Sequence, residues 1–101
     1  MQSLTTLNAR RRDPVQERQE QRRYELLREV YIRSGGDPAV SVSGLEAGTA
    51  HGMAREEIFR IVQYLSQHGY LRYLGAGPRV RVTPEGIEYL RNRARQRRSI
   101  R

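Results

Sequence analysis

Arginine and glutamine side chains recur at helical spacing between residues 54 and 68, where several of them would point the same way. One side of a helix over this range would be apolar and would consist of Ile58, Ile61, Val62 and Leu65. At about 100° per residue, the opposite side would carry Glu56, Arg60, Gln63 and Gln67, with Arg55 near its N-terminal edge. Arg and Gln have the donor and acceptor geometry that pairs with guanine and adenine edges. An ordinary solvated helix face would contain the same residue types, so both interpretations stand at this level.

Two residues of the predicted helix do not simply fit a surface that contacts nucleic acid. Glu56 counts against it, because a carboxylate is repelled by phosphates unless it accepts a hydrogen bond from cytosine. Phe59 lies on the flank of the helix. An aromatic ring there either folds back against the preceding turn or offers an apolar contact to a thymine methyl group or to a protein. We expect Phe59 to fold back against the turn.

Three further arginines, Arg72, Arg79 and Arg81, flank the glycine-rich stretch Gly75–Pro78. Alternation of apolar and polar residues predicts two strands, 70–74 and 79–83, that form a hairpin around that stretch. The arginines would share the hairpin face opposite Leu71, Val80 and Val82. Such a face could grip phosphates or a minor groove, or it could only keep an edge hairpin soluble.

The sequence contains no pattern that indicates catalysis or a bound cofactor. Cysteine is absent, which excludes disulfides, thiol nucleophiles and thiolate metal sites. His51 and His68 lie near no cluster of acids, so we expect turn and helix-end capping roles for them rather than a metal site. Gly75–Pro78 lacks the Lys-Ser/Thr that follows a phosphate-binding loop. We therefore expect a non-enzymatic protein without cofactor or metal.

The basic charge is concentrated at the two ends of the chain. The net charge of the chain is +8, and all of its Lys/Arg-type residues are arginine. Residues 91–101 hold six arginines and no acid. Residues 37–90 hold five arginines against six acids and are nearly neutral. Basic ends of this kind add affinity for phosphates without reading a sequence, or they pair with acidic protein surfaces. No apolar run approaches the ~20 residues of a membrane span, and the missing cysteines fit a cytoplasmic location.

Periodicity and capping residues predict the element order. Asp13-Pro14 and Thr83-Pro84 are strong helix starts, whereas Ala54 is a poor cap for the central helix. After a disordered arm over 1–13, the predicted elements are a helix over 14–33, a strand over 39–42, helices over 44–50 and 54–68, the hairpin, and a helix over 84–94. Residues 95–101 are expected to be a flexible Arg-rich tail.

The stretch from Ser43 to Pro84, SGLEAGTAHGMAREEIFRIVQYLSQHGYLRYLGAGPRVRVTP, resembles a winged-helix domain of small bacterial and archaeal transcription regulators. The resemblance implies an α+β fold over residues 14–94, with the order helix, strand, helix, turn, helix, strand, wing, strand, helix. It implies double-stranded DNA as the partner, with helix 54–68 in the major groove and hairpin 70–83 as the wing. The expected DNA-binding residues are Arg55, Arg60, Gln63, Gln67, Arg72, Arg79 and Arg81.

The same resemblance implies a possible homodimer joined through residues 14–33 and 84–94. The main alternative is a module for protein–protein interaction or dimerisation that does not touch DNA specifically, because one fold serves many functions. The near-neutral middle of the chain favours this alternative, and the arginines of the hairpin oppose it.

Overall fold

The computed structural model describes residues 13–75 and 77–99, with side chains as far as residue 96. This part of the chain is an α+β domain of four helices and a small three-stranded antiparallel sheet. Its elements are α1 (Pro14–Arg33), β1 (Val42–Ser43), α2 (Gly44–Thr49), α3 (Arg55–Gln67), β2 (Leu71–Tyr73), β3 (Arg79–Val82) and α4 (Pro84–Ser99). The predicted class and element order are confirmed for these residues. The predicted arm over 1–13 lies outside the described residues except for Asp13.

Helix α1 begins where the sequence predicts, because Asp13 and Pro14 supply its N-terminal cap. Asp13 Oδ1 accepts a hydrogen bond from Val15 N at 3.0 Å, and Pro14 occupies the first helical position. Only the C-terminal half reaches the core, where Leu26, Leu27 and Val30 are fully buried. Residues 14–19 are exposed, so the helix extends beyond the core. Neither α1 nor any other described helix has the length and apolar character that crossing a bilayer requires.

The sheet has the strand order β1-β3-β2, which puts the second strand of the hairpin in the centre. The first strand was predicted over 39–42, and this was wrong for 39–41, since β1 begins only at Val42. A turn at Asp37 takes up the intervening backbone. The Asp37 carboxylate accepts a hydrogen bond from Ala39 N at 2.9 Å, and its carbonyl oxygen accepts one from Val40 N at 3.0 Å. Local bonds of this kind compete with strand pairing.

One core joins all the helices to the inner face of the sheet. Tyr24, Tyr31, Ile87 and Tyr89 are partly buried against it. Its buried members are Leu26, Leu27, Val30, Val42, Ala47, Met53, Ile58, Ile61, Val62, Leu65, Leu71, Val80, Val82 and Leu90. Because α3 contributes four of these side chains, its apolar side is fixed and its other side must face outward.

The last helix is longer than predicted. It was expected to end at Ala94 and to be followed by a flexible tail, but α4 continues to Ser99. Arginine is a good helix former, and basic side chains are favourable near a helix C-terminus. Ala94 is exposed, whereas Leu90 is buried. The helix therefore leaves the core after Leu90 and Arg93.

The N-terminus of α3 lacks a side-chain cap, and supplying one should stabilise the protein. Ala54 has the extended backbone of an N-cap residue, with φ −74° and ψ 157°, but makes no side-chain cap hydrogen bond. A serine hydroxyl there would accept a bond from an unpaired N–H of the first turn. We expect Ala54→Ser to raise the free energy of unfolding by about 1 kcal/mol. In a domain of this size, that is a rise of about 4–8 °C in melting temperature.

Thermal melts of Ala54→Ser and of Ala50→Ser check this expectation. Ala50 is an equally exposed alanine, but it lies at the C-terminal end of α2, where a serine caps nothing. Equal melting temperatures for the two variants would contradict the assignment of Ala54 as the N-cap.

Candidate nucleic-acid interface

The outward side of α3 carries the residues that the sequence predicts. Ile58, Ile61, Val62 and Leu65 are buried, each with 7% exposure or less. The exposed residues on the other side are Arg55, Glu56, Arg60, Gln63 and Gln67. Arg60, Gln63 and Gln67 thus lie together on one solvent-facing side, and Arg55 lies at its N-terminal edge; these four residues are named here the α3 face (Arg55, Arg60, Gln63 and Gln67).

A short turn after α2 sets the direction of α3. Gly52, with φ 75°, adopts the left-handed backbone that the turn requires, and Met53 inserts into the core with 5% exposure. Within the turn, Met53 N donates to the carbonyl oxygen of Gly48 at 3.1 Å. At the other end of α3, His68 Nδ1 lies 2.9 Å from the carbonyl oxygen of Tyr64 and donates to it. The predicted helix-end role of His68 is confirmed.

His51 connects the turn to α1. Its Nε2 lies 3.0 Å from Glu29 Oε1, and its Nδ1 lies 4.0 Å from Glu25 Oε1. The hydrogen bond with His51, with a smaller contribution from Arg33, holds the pKa of Glu29 below its ordinary value. The turn is therefore anchored to the first helix by polar contacts as well as by Met53.

A bidentate ion pair ties α3 to α1 from the side. Arg22 Nε and Nη2 donate to the two carboxylate oxygens of Glu57, both at 2.7 Å. This hydrogen bonding holds the pKa of Glu57 below its ordinary value of 4.5, and the attraction of the Arg22 charge adds to it. The pair is about 30% exposed, so water screens it only in part. It fixes the rotation of α3 and consequently the direction of the α3 face.

The Arg22–Glu57 pair should stabilise the protein at neutral pH and lose its effect in acid. Because the folded-state pKa of Glu57 is lowered, its contribution is present above about pH 4.5 and disappears as pH falls through the folded value. We expect a double-mutant cycle of Arg22→Ala and Glu57→Ala to give a coupling of about 0.5–1 kcal/mol at pH 7. Urea unfolding at pH 7 and pH 3 measures it. Equal couplings at the two pH values, or the same coupling for Arg22 with the neighbouring Glu56, would contradict the assignment.

The hairpin arginines share one face of the sheet, as the alternation predicts. Arg72 and Arg81 are direct cross-strand partners, and Arg79 lies two residues before Arg81 on the same strand. Their environments differ. Arg72 is exposed, whereas Arg79 Nη2 donates to both the carbonyl oxygen and the hydroxyl of Ser41 at 3.0 Å. Arg81 is half-buried, and its buried Nε has no hydrogen-bond partner.

The hairpin separates its arginines from the α3 face. Tyr73 pairs with Val80 on the opposite side of the hairpin, and it lines a cleft of about 300 Å³ together with Gln63 and Gln67. The arginines point away from this cleft. The predicted site residues therefore form two groups, one on α3 and one on the outer face of the sheet.

The cleft between α3 and the hairpin is mostly apolar. Phe59 lines it with 40% exposure, and Tyr73 is 45% exposed. The expectation that Phe59 folds back against the turn was wrong; its ring faces the cleft, with the Arg55 guanidinium 6.0 Å from the ring centre. An exposed aromatic pair therefore lies directly beside Gln63 and Gln67.

Sequence reasoning missed two arginines of α1 that lie beside the α3 face. Arg22 and Arg23 line a groove of about 240 Å³ together with Arg60 and Gln19. Arg23 also lies over the ring of Tyr64 at 3.7 Å. The dipeptide Arg22-Arg23 is visible in the sequence, but only the packing of α1 on α3 puts it next to Arg60.

Comparisons with protein-family models, with curated proteins and with solved structures gave no match to this chain. Across residues 13–75 and 77–99, no three His, Asp or Glu side chains are grouped so that they could hold a metal ion. The functional assignment therefore depends on the geometry of the α3 face and of the hairpin beside it.

Proposed function

We propose that this chain is a winged-helix protein that binds double-stranded DNA and acts in transcriptional control. In this proposal α3 enters the major groove, β2 and β3 form the wing, and the α3 face reads base edges. The observation that carries it is the solvent exposure of Arg60, Gln63 and Gln67 on one side of a helix that follows α2 after a short turn, with Arg55 at the N-terminal edge of that side.

The dimensions of α3 are suitable for that role. A helix of 13 residues is about 20 Å long, and the major groove is about 12 Å wide, which admits one α-helix. The buried side of α3 holds the helix rigidly, so Arg60 and Gln63 would approach bases without a large loss of backbone freedom. Arg60 would favour guanine and Gln63 adenine, since these are the bidentate pairings of their side chains.

The hairpin has a supporting part in the proposal. Its arginines lie on the face away from Gln63 and Gln67, so we assign them to phosphates next to the groove rather than to base edges. Arg72 is exposed and able to reach such a phosphate, while the bonds of Arg79 to Ser41 hold that guanidinium against the sheet edge. Arg22 and Arg23 extend the cationic surface on the α1 side of Arg60.

Alanine variants of the α3 face test the proposal. A DNA ligand is first chosen by selection from random duplexes, and its affinity is then measured by fluorescence anisotropy. We expect Arg60→Ala and Gln63→Ala each to weaken binding of the selected duplex by about 5- to 150-fold, the equivalent of one lost bidentate base contact. Both residues are exposed, so the fold should be unaffected.

Arg28→Ala is the matched control, because Arg28 is an exposed arginine of α1 outside both clefts that flank α3. We expect its effect to be small and equal for selected and random duplexes. Equal losses for Arg28→Ala and Arg60→Ala, or selection that yields no preferred sequence, would leave only non-specific phosphate attraction and so contradict the proposal.

One observation favours the alternative function, a protein-interaction module. The exposed aromatic side chains Phe59 and Tyr73 give the cleft beside α3 an apolar lining that a protein partner could cover, and Leu74, the residue after Tyr73, is exposed as well. Chemical-shift mapping with duplex DNA at low and moderate salt separates the two functions. DNA-dependent shifts at Arg60 and Gln63 support reading by α3, whereas shifts confined to residues 91–101 support the alternative.

We also propose that the functional form is a homodimer joined through residues 14–33 and 84–94. Val15 and Ile32 on α1 are about half exposed, and α1 and α4 both extend beyond the core. Two-fold pairing would put two copies of α3 on successive turns of the DNA. Sedimentation velocity at micromolar concentration tests this; a monomer there would rule out a stable dimer.

A further inference from the structure

A recess of about 460 Å³ lies between α1, the C-terminal end of α3 and α4, on a different side of α3 from the exposed α3 face. Aromatic rings line it. Tyr64 and His68 stack with centroids 4.0 Å apart and an interplanar angle of 24°. Tyr70 and Tyr89 stack at 4.7 Å with the same angle, and His68 and Tyr70 are 6.1 Å apart. Four rings from three segments of the chain therefore form one continuous aromatic wall.

Two guanidinium groups lie at the edge of this wall. Arg23 is centred over the Tyr64 ring at 3.7 Å, and Arg93 over the Tyr24 ring at 4.5 Å. The hydrogen bonds of Arg93 are long, at 3.4 Å to Tyr89 Oη and 3.3 Å to Gln21 Oε1. Because a charged carboxylate or phosphate accepts at 2.7–2.9 Å, a bound anion would displace these weak contacts at a gain. Glu20 also lines the recess, so its three charged groups sum to one positive charge.

The lining has the composition of a ligand site rather than of a core. Its volume lies in the range of about 300–1,000 Å³ that small-molecule sites occupy, and its aromatic rings lie beside charged and amide side chains that could orient a ligand. Tyr64, Tyr70 and Tyr89 are only half-buried, so the packing of the described residues leaves their rings partly uncovered. Rings stack well on flat π-systems, and guanidinium forks bind planar anionic groups in a bidentate way.

We propose that this recess binds a small planar aromatic molecule that carries a carboxylate or a phosphate. The ring of the ligand packs beside the wall of Tyr64, His68, Tyr70 and Tyr89, and its anionic group accepts hydrogen bonds from Arg23 and Arg93. The proposal does not depend on DNA binding. Tyr64 and His68 lie at the C-terminal end of α3. A ligand in the recess would therefore contact the same helix that carries Gln63 and Gln67.

Titration of the full chain with four probe compounds tests the site. Naphthalene-2-carboxylate and 2-naphthyl phosphate supply ring and charge, naphthalene-2-carboxamide lacks the charge, and cyclohexanecarboxylate lacks the aromatic ring. Affinity is measured by calorimetry, and the location by shifts of the tyrosine and histidine ring resonances. We expect saturable binding of at least one aromatic anion, and binding at least about tenfold weaker for the carboxamide and for the cyclohexane compound. The tighter of the two anions identifies the anionic group.

Variants then assign the contacts. We expect Arg93→Gln and Arg23→Gln each to weaken the aromatic anion by about tenfold, with Arg28→Gln unchanged as the matched control on α1. The probe series on the unmodified chain decides the matter even if an arginine variant loses its fold. Three results would each overturn the proposal: no saturation at 10 mM probe, ring shifts outside the recess, or equal weakening by Arg28→Gln and Arg93→Gln.

Discussion

Gly48→Ala is expected to lower the free energy of unfolding by about 1–2 kcal/mol, even though alanine favours a helix by ~1 kcal/mol over glycine. Gly48 is buried in α2, where the helix crosses α3. A Cβ atom there would overlap Cγ1 of Ile58 and lie 2.6 Å from its Cδ1. Ile58 is 1% exposed and belongs to the buried core, so its side chain cannot turn out into solvent. The two helices would therefore have to separate, and the α3 face would shift with them.

A double-mutant cycle distinguishes this steric cause from a general effect on α2. Ile58→Ala removes the atoms that clash and leaves a cavity, so alone it should cost about 2–5 kcal/mol. If the clash is the cause, Gly48→Ala combined with Ile58→Ala costs less than the sum of the two single changes. Thr49→Ala is the control, since Thr49 is the exposed next residue of α2. Additive costs in urea unfolding would contradict the steric explanation.

Gly48 also illustrates where sequence reasoning stops. Read locally, a glycine in a six-residue helix only weakens that helix. Its role depends on a neighbour ten residues away, and that proximity exists only after α2 and α3 have packed. By contrast, the apolar side of α3 and the cap at Asp13 are determined by residues within a few positions of each other. Local periodicity and local hydrogen bonds therefore predict these features correctly.

The candidate site likewise combines features that the local sequence predicts with features that depend on packing. Exposure of Arg60, Gln63 and Gln67 follows from the period of one helix. The relation of these residues to the hairpin arginines does not, because it depends on which face of the sheet packs on α3. The predicted grouping on one hairpin face is confirmed by the pairing of Arg72 with Arg81. The bond from Arg79 to Ser41 joins residues 38 positions apart in sequence, and no local pattern indicates it.

The aromatic recess is a further non-local feature of the molecule. Its four rings belong to α3, the segment after it and α4, and none of them stands out in the sequence as part of a motif. Tyr70 and Tyr89 are brought together because the start of α4 packs directly on the backbone at Tyr70. That contact requires a residue without a side chain at position 86.

Gly86→Ala is expected to destabilise the protein more than Gly48→Ala does, by about 3 kcal/mol, the upper end of the usual cost of overpacking. A Cβ atom at Gly86 would overlap the carbonyl oxygen of Tyr70 and lie 3.1 Å from the carbonyl carbon. These are backbone atoms, so no change of side-chain conformation relieves the clash. The segment is also held in place: Tyr70 O accepts from Thr83 N at 3.2 Å, and Gly69 O accepts from the Thr83 hydroxyl at 2.6 Å. Moving this segment would break its hydrogen bonds with Thr83. Thr83 also caps α4, since its Oγ1 accepts a hydrogen bond from Gly86 N at 2.9 Å.

Urea unfolding of Gly86→Ala measures the loss of stability. Glu88→Ala is the control, because Glu88 is an exposed residue of the same helix. Besides the loss of stability, we expect the ring resonances of Tyr70 and Tyr89 to shift, because the displaced backbone carries the Tyr70 ring away from its stacking partner. Glu88→Ala should leave both resonances unchanged. A Gly86→Ala protein as stable as the parent, with Tyr70 and Tyr89 still stacked, would mean that α4 does not start against the Tyr70 carbonyl. The aromatic wall of the recess would then need another explanation.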